Sequence, residues 1–384
     1  GPGQMMAVDT YTGKIWYNDQ IEEELKQRHP YKQWLEQHRR HLIPFERSHA
    51  DKLGKRLYDD ETMLVFHKAY LYSEEEIQQI ISVLAKDGQE AVGSMGDDTP
   101  TAVLSKQPRL LYDYFRQQFA QVTNPAIDPI RERHVMSLST IIGREHNVFN
   151  EASGDADRVV FESPILMYTD LKQLRELDEQ HYRATTLSLG FKPEQQNLQQ
   201  AIDSLVEQAK TAVKDEQTVI LVLSDRDLQR EQLTIPAAMA VGAVQQVLVK
   251  NDLRCDSNII IETASARDPH HMAVLIGLGA TAVYPYLAYE TVEQLVARGK
   301  VQLDIKEALL NYRKGLNKGL LKILSKMGIA TVAGYRGSSL FEAVGLNEDV
   351  RRLCFENVPA RIDGTGFDDI QQDLQQSFHR AWLT

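Results

Sequence analysis

Asn258-Ile-Ile-Ile-Glu262-Thr263-Ala264-Ser265-Ala-Arg267-Asp268-Pro-His270-His271-Met-Ala-Val-Leu-Ile-Gly277-Leu-Gly279-Ala-Thr-Ala282-Val-Tyr284-Pro-Tyr286 reads as one β-α-β unit. Three consecutive isoleucines with no polar alternation are the pattern of a parallel strand covered on both faces. A polar turn follows, then an apolar helix closed by Gly277 and Gly279, then a second short apolar run at 282–284. Glu262, Thr263, Ser265, Arg267 and Asp268 fall at the carboxyl end of the first strand, where α/β proteins place ligands. Helix capping and loop solvation account for the same residues equally simply.

The same grammar extends in both directions. Residues 184–189, 219–223, 259–261, 282–284 and 329–332 are strand candidates, and helical runs at 195–213, 236–250, 269–276 and 305–327 fill the gaps. Alternating strands and helices predict a mostly parallel sheet of about five strands with flanking helices, reached by right-handed crossovers. Five strands fall short of the eight in a closed barrel, so the fold class is α/β, incomplete and barrel-like. The first part of the chain is different: a hairpin at 5–17 turning near Gly13, then helices at 21–28, 31–42 and 60–69. Ser73-Glu74-Glu75-Glu76 is a capping box for a helix ended by Asp87-Gly88. Residues 110–122 and 130–142 read as helices, separated by Pro125 and Pro129. The loop at 150–157 therefore divides an α-rich part, 1–155, from a β-α-β part, 156–384.

Composition narrows the function. A net charge of -11 without a Lys/Arg stripe disfavours nucleic acid. No apolar run reaches the length of a membrane span. Two cysteines, Cys255 and Cys354, have no zinc or cluster spacing and indicate a reducing compartment. Adjacent His270 and His271 do not share a helix face, and no nucleophile triad can be assembled.

Two sets of residues remain as candidates. The first is a rim at the carboxyl ends of the predicted strands: Asp225 and Arg226, Glu262, and Arg336 with Gly337, where Gly337-Ser338-Ser339 reads either as an anion nest or as the start of a capped helix at 338–344. The second is the loop Gly93-Ser94-Met95-Gly96-Asp97-Asp98-Thr99-Pro100 together with Thr123-Asn124-Pro125. The glycines at 93 and 96 are not a phosphate loop, because no Lys-Ser/Thr follows and Asp97-Asp98 would repel phosphate.

Several longer stretches carry a resemblance. Gly93 to Pro100, Leu110-Leu-Tyr-Asp-Tyr-Phe115, Phe119-Ala-Gln-Val-Thr-Asn-Pro125, Leu223-Ser-Asp-Arg226, Lys318-Gly-Leu-Leu-Lys-Ile-Leu-Ser-Lys-Met-Gly328, Tyr335-Arg-Gly337 and Phe341-Glu-Ala-Val-Gly-Leu346 resemble the central region of the large chain of glutamate synthases. The likeness runs over nearly the whole chain, including the opening Gly1-Pro2-Gly3. It departs at Ala264, at Ala333-Gly334 and at 361–367, which touches local loop shape.

The resemblance implies a module that joins a glutamine amidotransferase domain to an FMN-binding synthase domain bearing an iron-sulfur cluster. It further implies a share in the ammonia passage of glutamate biosynthesis from L-glutamine and 2-oxoglutarate. The neighbouring domains and ammonia in transit are then the partners, with no nucleic acid and no membrane, in the cytoplasm or a plastid. Neither FMN nor a cluster is expected in this fragment, which is expected not to catalyse alone. The loops holding Gly93 to Thr99 and Thr123 to Pro125 are the candidate walls of the passage. The competing reading is a self-standing barrel-like enzyme, or a small-acid-binding module, working at the strand-end rim.

Overall fold

The computed structural model describes residues 3–47, 58–93, 99–119, 126–128, 134–177 and 179–383. Its centre is a parallel sheet of four strands, Ala184–Ser188, Ile220–Ser224, Asn258–Glu262 and Ala282–Tyr284, lying side by side in chain order. Register is continuous, with Leu187 opposite Leu223, Leu223 opposite Ile261, and Ile261 opposite Val283. Ile259, Ile260 and Ile261 are fully buried, as the unbroken isoleucine run requires. Burying each side chain contributes about 1.5–3 kcal/mol. The helices Leu198–Lys214, Ala237–Lys250 and Pro269–Gly277 supply the crossovers. Gly242 lets the second of these approach the helix Glu348–Cys354, since a Cβ there would collide with the Cys354 carbonyl.

The fifth strand is not where the sequence places it. Residues 329–332 contribute only an isolated parallel bridge, Ser137 to Thr331, and then a short helix, Val332–Tyr335. Beyond Ala282–Tyr284 the sheet is continued by a single bridge, Ile165 to Val283, in which Leu166 N–H donates to the Val283 carbonyl at 2.8 Å. The α/β, barrel-like but unclosed architecture holds with four strands.

Three further expectations are corrected. The described residues of 110–122, up to Phe119, form no α-helix: Leu111–Tyr114 is one 3-10 turn, and Phe115–Gln117 is a strand antiparallel to Phe341–Leu346. Two long-range packing contacts decide this, the Phe115 ring meeting Phe341 edge-on at 5.3 Å and Phe355 at 5.1 Å. A helix at 338–344 gives way to that same strand Phe341–Leu346, whose Phe341 and Ala343 point inward at period two. Within 130–142, Thr140–Ile142 is a strand paired with Val159–Phe161, burying Thr140 and Ile142 and exposing Ile141.

Before Gly88 the predicted elements are kept, except that the helix expected over 31–42 stops at His38 and Arg40–His41 pairs as a strand with Val159 and Val160. The hairpin Met6–Val8 with Ile15–Tyr17 leads into the helices Asn18–Arg28 and Tyr31–His38. The helix Asp60–Ala69 is capped by Asp59, and Ser73 and Glu76 close their capping box ahead of a π-helical turn, Ile77–Ile81. The run continues to Asp87 and ends at Gly88, whose φ of 57° is the left-handed conformation that stops helices. One contiguous hydrophobic core extends from Phe45 to Ala381 and includes Leu84, Ile260 and Phe341.

Candidate functional site

The carboxyl ends of the Ile220–Ser224 and Asn258–Glu262 strands bring Asp225, Arg226 and Glu262 together, three of the five rim residues expected from sequence. Glu262, 1% exposed, accepts from Arg175 at 2.8 Å, Arg226 at 3.0 Å and the Ser224 hydroxyl at 2.8 Å. Burial pushes its carboxyl up, but the Arg175 charge and the donors of Ser224, Arg226 and Arg175 outweigh burial and hold it below the usual carboxylate range.

Asp225 is different. Its carboxylate accepts from the Thr263 hydroxyl at 2.5 Å and the Ala264 N–H at 2.9 Å, with no cation bonded to it among the described residues. Burial therefore dominates and lifts it from 3.8 to about 7, against the pull of those two donors. Two neighbouring acids thus carry different charge preferences because one has arginines and the other hydroxyl and amide donors.

A third side chain closes the rim. Arg267 is 2% exposed, and its guanidinium donates to both carboxylate oxygens of Glu76 at 3.0 Å, to the Tyr70 carbonyl at 3.0 Å and to the Leu71 carbonyl at 2.8 Å. It also lies 4.2 Å from the Tyr72 ring centre. Tyr72 hydroxyl donates to the Ala264 carbonyl at 2.8 Å, and Tyr112 hydroxyl pairs with Ser265 at 2.9 Å. His271, stacked on Tyr112 at 4.3 Å, is pushed down to about 4 by burial and is held neutral. Residues 70–76 and 112 therefore form a lid bonded to the strand ends. What remains beneath is a cavity of about 70 Å³ bordered by Tyr70, Tyr112, Asp225, Pro236, Ser265 and Phe378.

Arg336 and Gly337 do not join this rim. Gly337 N–H donates to Ile276 at 3.0 Å and Ser339 N–H to Gly277 at 3.0 Å. Ile276 and Gly277 end the helix Pro269–Gly277, which starts at the strand carboxyl ends and runs back, so Arg336 and Gly337 belong to the opposite, amino-terminal end of the sheet. Arg336 lies there with Arg254: burial holds Arg336 below the usual arginine range against the opposing pull of the Glu145 charge, and burial and the Arg336 charge together bring Arg254 down to about 10. The anion nest is also excluded by bonding, because Ser338 N–H is taken by Tyr335 at 3.1 Å, leaving none of these three amides free. The amides of 337–339 are thus engaged within the fold, and of the two cysteines Cys255 is exposed and Cys354 buried.

Of the candidate passage residues, Gly93 and Thr99 are described and exposed. Ser94, Met95, Gly96, Asp97 and Asp98, and Thr123, Asn124 and Pro125, lie outside the described residues. Sequence reasoning missed Arg175, Glu76 and Tyr72 as rim partners. The capping box did single out Glu76, but a cap explains one carboxylate oxygen's work and gives no sign of an arginine almost two hundred positions away.

An open parallel α/β sheet whose strand-end rim is bonded internally defines an α/β fold that is barrel-like but unclosed. The chain belongs to the glutamate synthase central domain family: that family's model matches residues 66–347. A second model, class-II glutamine amidotransferases, matches residues 1–34. Ferredoxin-dependent glutamate synthase 1 of Arabidopsis thaliana is 39% identical across 100% of this chain and 24% of its own length. Ferredoxin-dependent glutamate synthase 2 of Synechocystis is 39% identical across 97% of this chain and 24% of its own. The NADH glutamate synthase of Schizosaccharomyces pombe is 37% identical across 100% and 19%. The chain thus spans about a quarter of the length of most curated relatives it matches. No helix among the described residues is long and apolar enough to cross a membrane.

Proposed function

We propose that this chain is the middle section of a glutamate synthase polypeptide, linking a glutamine amidotransferase part to an FMN-binding synthase part with its iron-sulfur cluster, and helping to wall the ammonia passage between them. The observation that carries the reading is the order of the two family matches in one chain, amidotransferase at 1–34 and central domain at 66–347. FMN, the cluster and 2-oxoglutarate are assigned to that neighbouring synthase part. The compartment is the cytoplasm or a plastid, as in the relatives named chloroplastic.

A passage for ammonia must exclude bulk water, where ammonia would be protonated and lost. Small polar residues and prolines in the loops holding Gly93 to Thr99 and Thr123 to Pro125 suit such walls, and these loops are assigned to the passage. The test is the ratio of glutamate formed to glutamine hydrolysed in the full-length enzyme carrying Thr123→Val or Asn124→Leu. Loss of coupling with hydrolysis retained supports the assignment; an unchanged ratio in both variants overturns it.

A further inference from the structure

Residues 144–157 cross the molecule as a strap. At one end they are tied to the amino-terminal edge of the parallel sheet: Glu145 N–H donates to the Cys255 carbonyl at 2.8 Å, and Arg144 donates to the Gln217 carbonyl at 3.0 Å. Asn258, at the start of the central strand, holds the Gly143 carbonyl at 3.1 Å. At the other end Glu151 accepts from the Tyr31 hydroxyl at 2.7 Å and lies 3.7 Å from His29. His29 and Tyr31 both fall inside the stretch that matches amidotransferases. Their rings pack with Trp34, His29 stacking on it at 5.0 Å and Tyr31 meeting it edge-on at 5.6 Å.

Between its anchors the strap presents a shaped apolar tip. Asn150 N–H closes a turn onto the Asn147 carbonyl at 2.9 Å, and the Asn147 side chain accepts from Phe149 N–H at 3.0 Å. That Asx-type turn holds Val148 and Phe149 outward, 81% and 95% exposed. Single exposed apolar residues are ordinary, but adjacent valine and phenylalanine on a hydrogen-bonded turn form a preorganised knob. Apolar exposure continues on the amidotransferase-matching side: the hairpin carries Met6, Val8, Ile15 and Tyr17 outward, and a two-stranded hairpin of this kind is marginal without a covering partner.

We infer that the strap 144–157 is a docking element, with Val148 and Phe149 seated in an apolar recess of the amidotransferase part that completes the 1–34 stretch, while Glu151 clamps the junction through Tyr31 and His29. The inference rests on the reading proposed above, because it needs that part in the same polypeptide. It commits to that occupant because Glu151 is already bonded to residues of the amidotransferase match, making the knob continuous with an existing contact. The strap then couples the amidotransferase side to the base of the sheet by direct bonds through Gln217, Cys255 and Asn258.

The test uses the full-length enzyme with the photoreactive p-benzoylphenylalanine replacing Phe149, irradiated and digested, with adducts located by mass spectrometry. Adducts confined to polypeptide preceding residue 1 are expected. Adducts to the synthase part, to a second copy, or to solvent alone overturn the inference. Phe149→Ser provides an independent readout: amide hydrogen exchange at 147–150 should accelerate by about tenfold, as for loss of an aromatic anchor at an interface. Unchanged exchange overturns the docking even if the label proves uninformative. Failure of the passage reading is distinguishable, since it appears in the glutamate-to-glutamine ratio of the Thr123 and Asn124 variants and leaves the adduct map unaffected.

Discussion

Replacing Arg267 with methionine should detach the lid from the strand ends, and its size can be worked from the bonds lost. The variant keeps the aliphatic stem but removes the paired guanidinium over Glu76 and the donors to the Tyr70 and Leu71 carbonyls. Breaking a buried ion pair from one side costs about 3–5 kcal/mol. Glu76 keeps 29% of its side chain exposed, so water recovers part of its loss, and a total of about 4 kcal/mol, including the two carbonyls, is the working figure. At about 2.1 cal/mol/K of unfolding entropy per residue over 384 residues, that lowers the thermal midpoint by about 5 °C. The pH dependence gives a second, sharper criterion. In the native protein burial pushes the Glu76 carboxyl up, but Arg267 outweighs it and the folded value lies below the ordinary one. Its contribution is therefore full above the unfolded carboxylate value, about 4.3, and is lost as pH falls through the folded value. Without Arg267, burial is opposed only by the Ser73 hydrogen bond and the pull of His271, both smaller than the Arg267 contributions, so the carboxyl rises and stability in the variant is lost as pH rises. The gap between native and variant midpoints, followed by circular dichroism, should widen from pH 4 to pH 7. A shift under about 1 °C at pH 7, or a gap independent of pH, would refute the account of the lid.

The remaining predictions concern the neighbouring acid, the helix contact and the cap. Asp225 has a folded value raised to about 7, so its contribution is full below the unfolded value and is lost as pH rises toward 7; Asp225→Asn should gain on the native protein by up to about 4 kcal/mol between pH 4 and pH 8 in urea titrations. Gly242→Ala, which in an open helix would be neutral to stabilising, should cost about 3 kcal/mol because its methyl meets the Cys354 carbonyl, whereas Gly154→Ala, with nothing within 4 Å, should stay within about 0.5 kcal/mol by the same titration. Ser73→Ala should lower stability by about 1 kcal/mol and speed exchange at the Glu76 amide that its hydroxyl now accepts.

What the sequence made legible follows the range of the forces involved. The isoleucine run at 259–261, the glycine stop at Gly88 and the Ser73 capping box are decided within a few residues, and each lies where periodicity and turn chemistry put it. The aromatic spacing around Phe115–Gln117 also fits a helix, and Gly337-Ser338-Ser339 also reads as a helix cap ahead of Phe341–Leu346; only the meeting of Phe115 with Phe341 and Phe355, more than two hundred positions away, settles both as strands. The rim divides in the same way. Asp225, Arg226 and Glu262 share it because each follows a parallel strand, a local fact. Arg336 would share the rim only if 329–332 formed another such strand; that stretch gives an isolated bridge and a short helix, and the residue lies at the far end of the sheet.

The sealed rim bears on what a connecting domain needs. In an open α/β sheet the carboxyl ends form the natural crevice, and a lid bonded only weakly would open and close over it. Here the lid residues 70–76 are fixed by a buried arginine, while the same layer is fixed from the other side by the helix Phe367–Ala381, through Tyr70 against Phe378, and by Lys68 on the Leu383 carbonyl just beyond it. The amidotransferase-matching stretch is tied in at Glu151, and Arg40 adds a bond from its N–H to the Arg158 carbonyl. On the function proposed above, the last helix packs on the core while the amino-terminal stretch is held to it by the Glu151 and Arg158 bonds, so the spacing of the parts they lead to is set by fixed contacts rather than by a flexible linker. A passage for a molecule as small as ammonia requires spacing of that kind, because a gap wide enough for water would already admit the solvent that must be kept out.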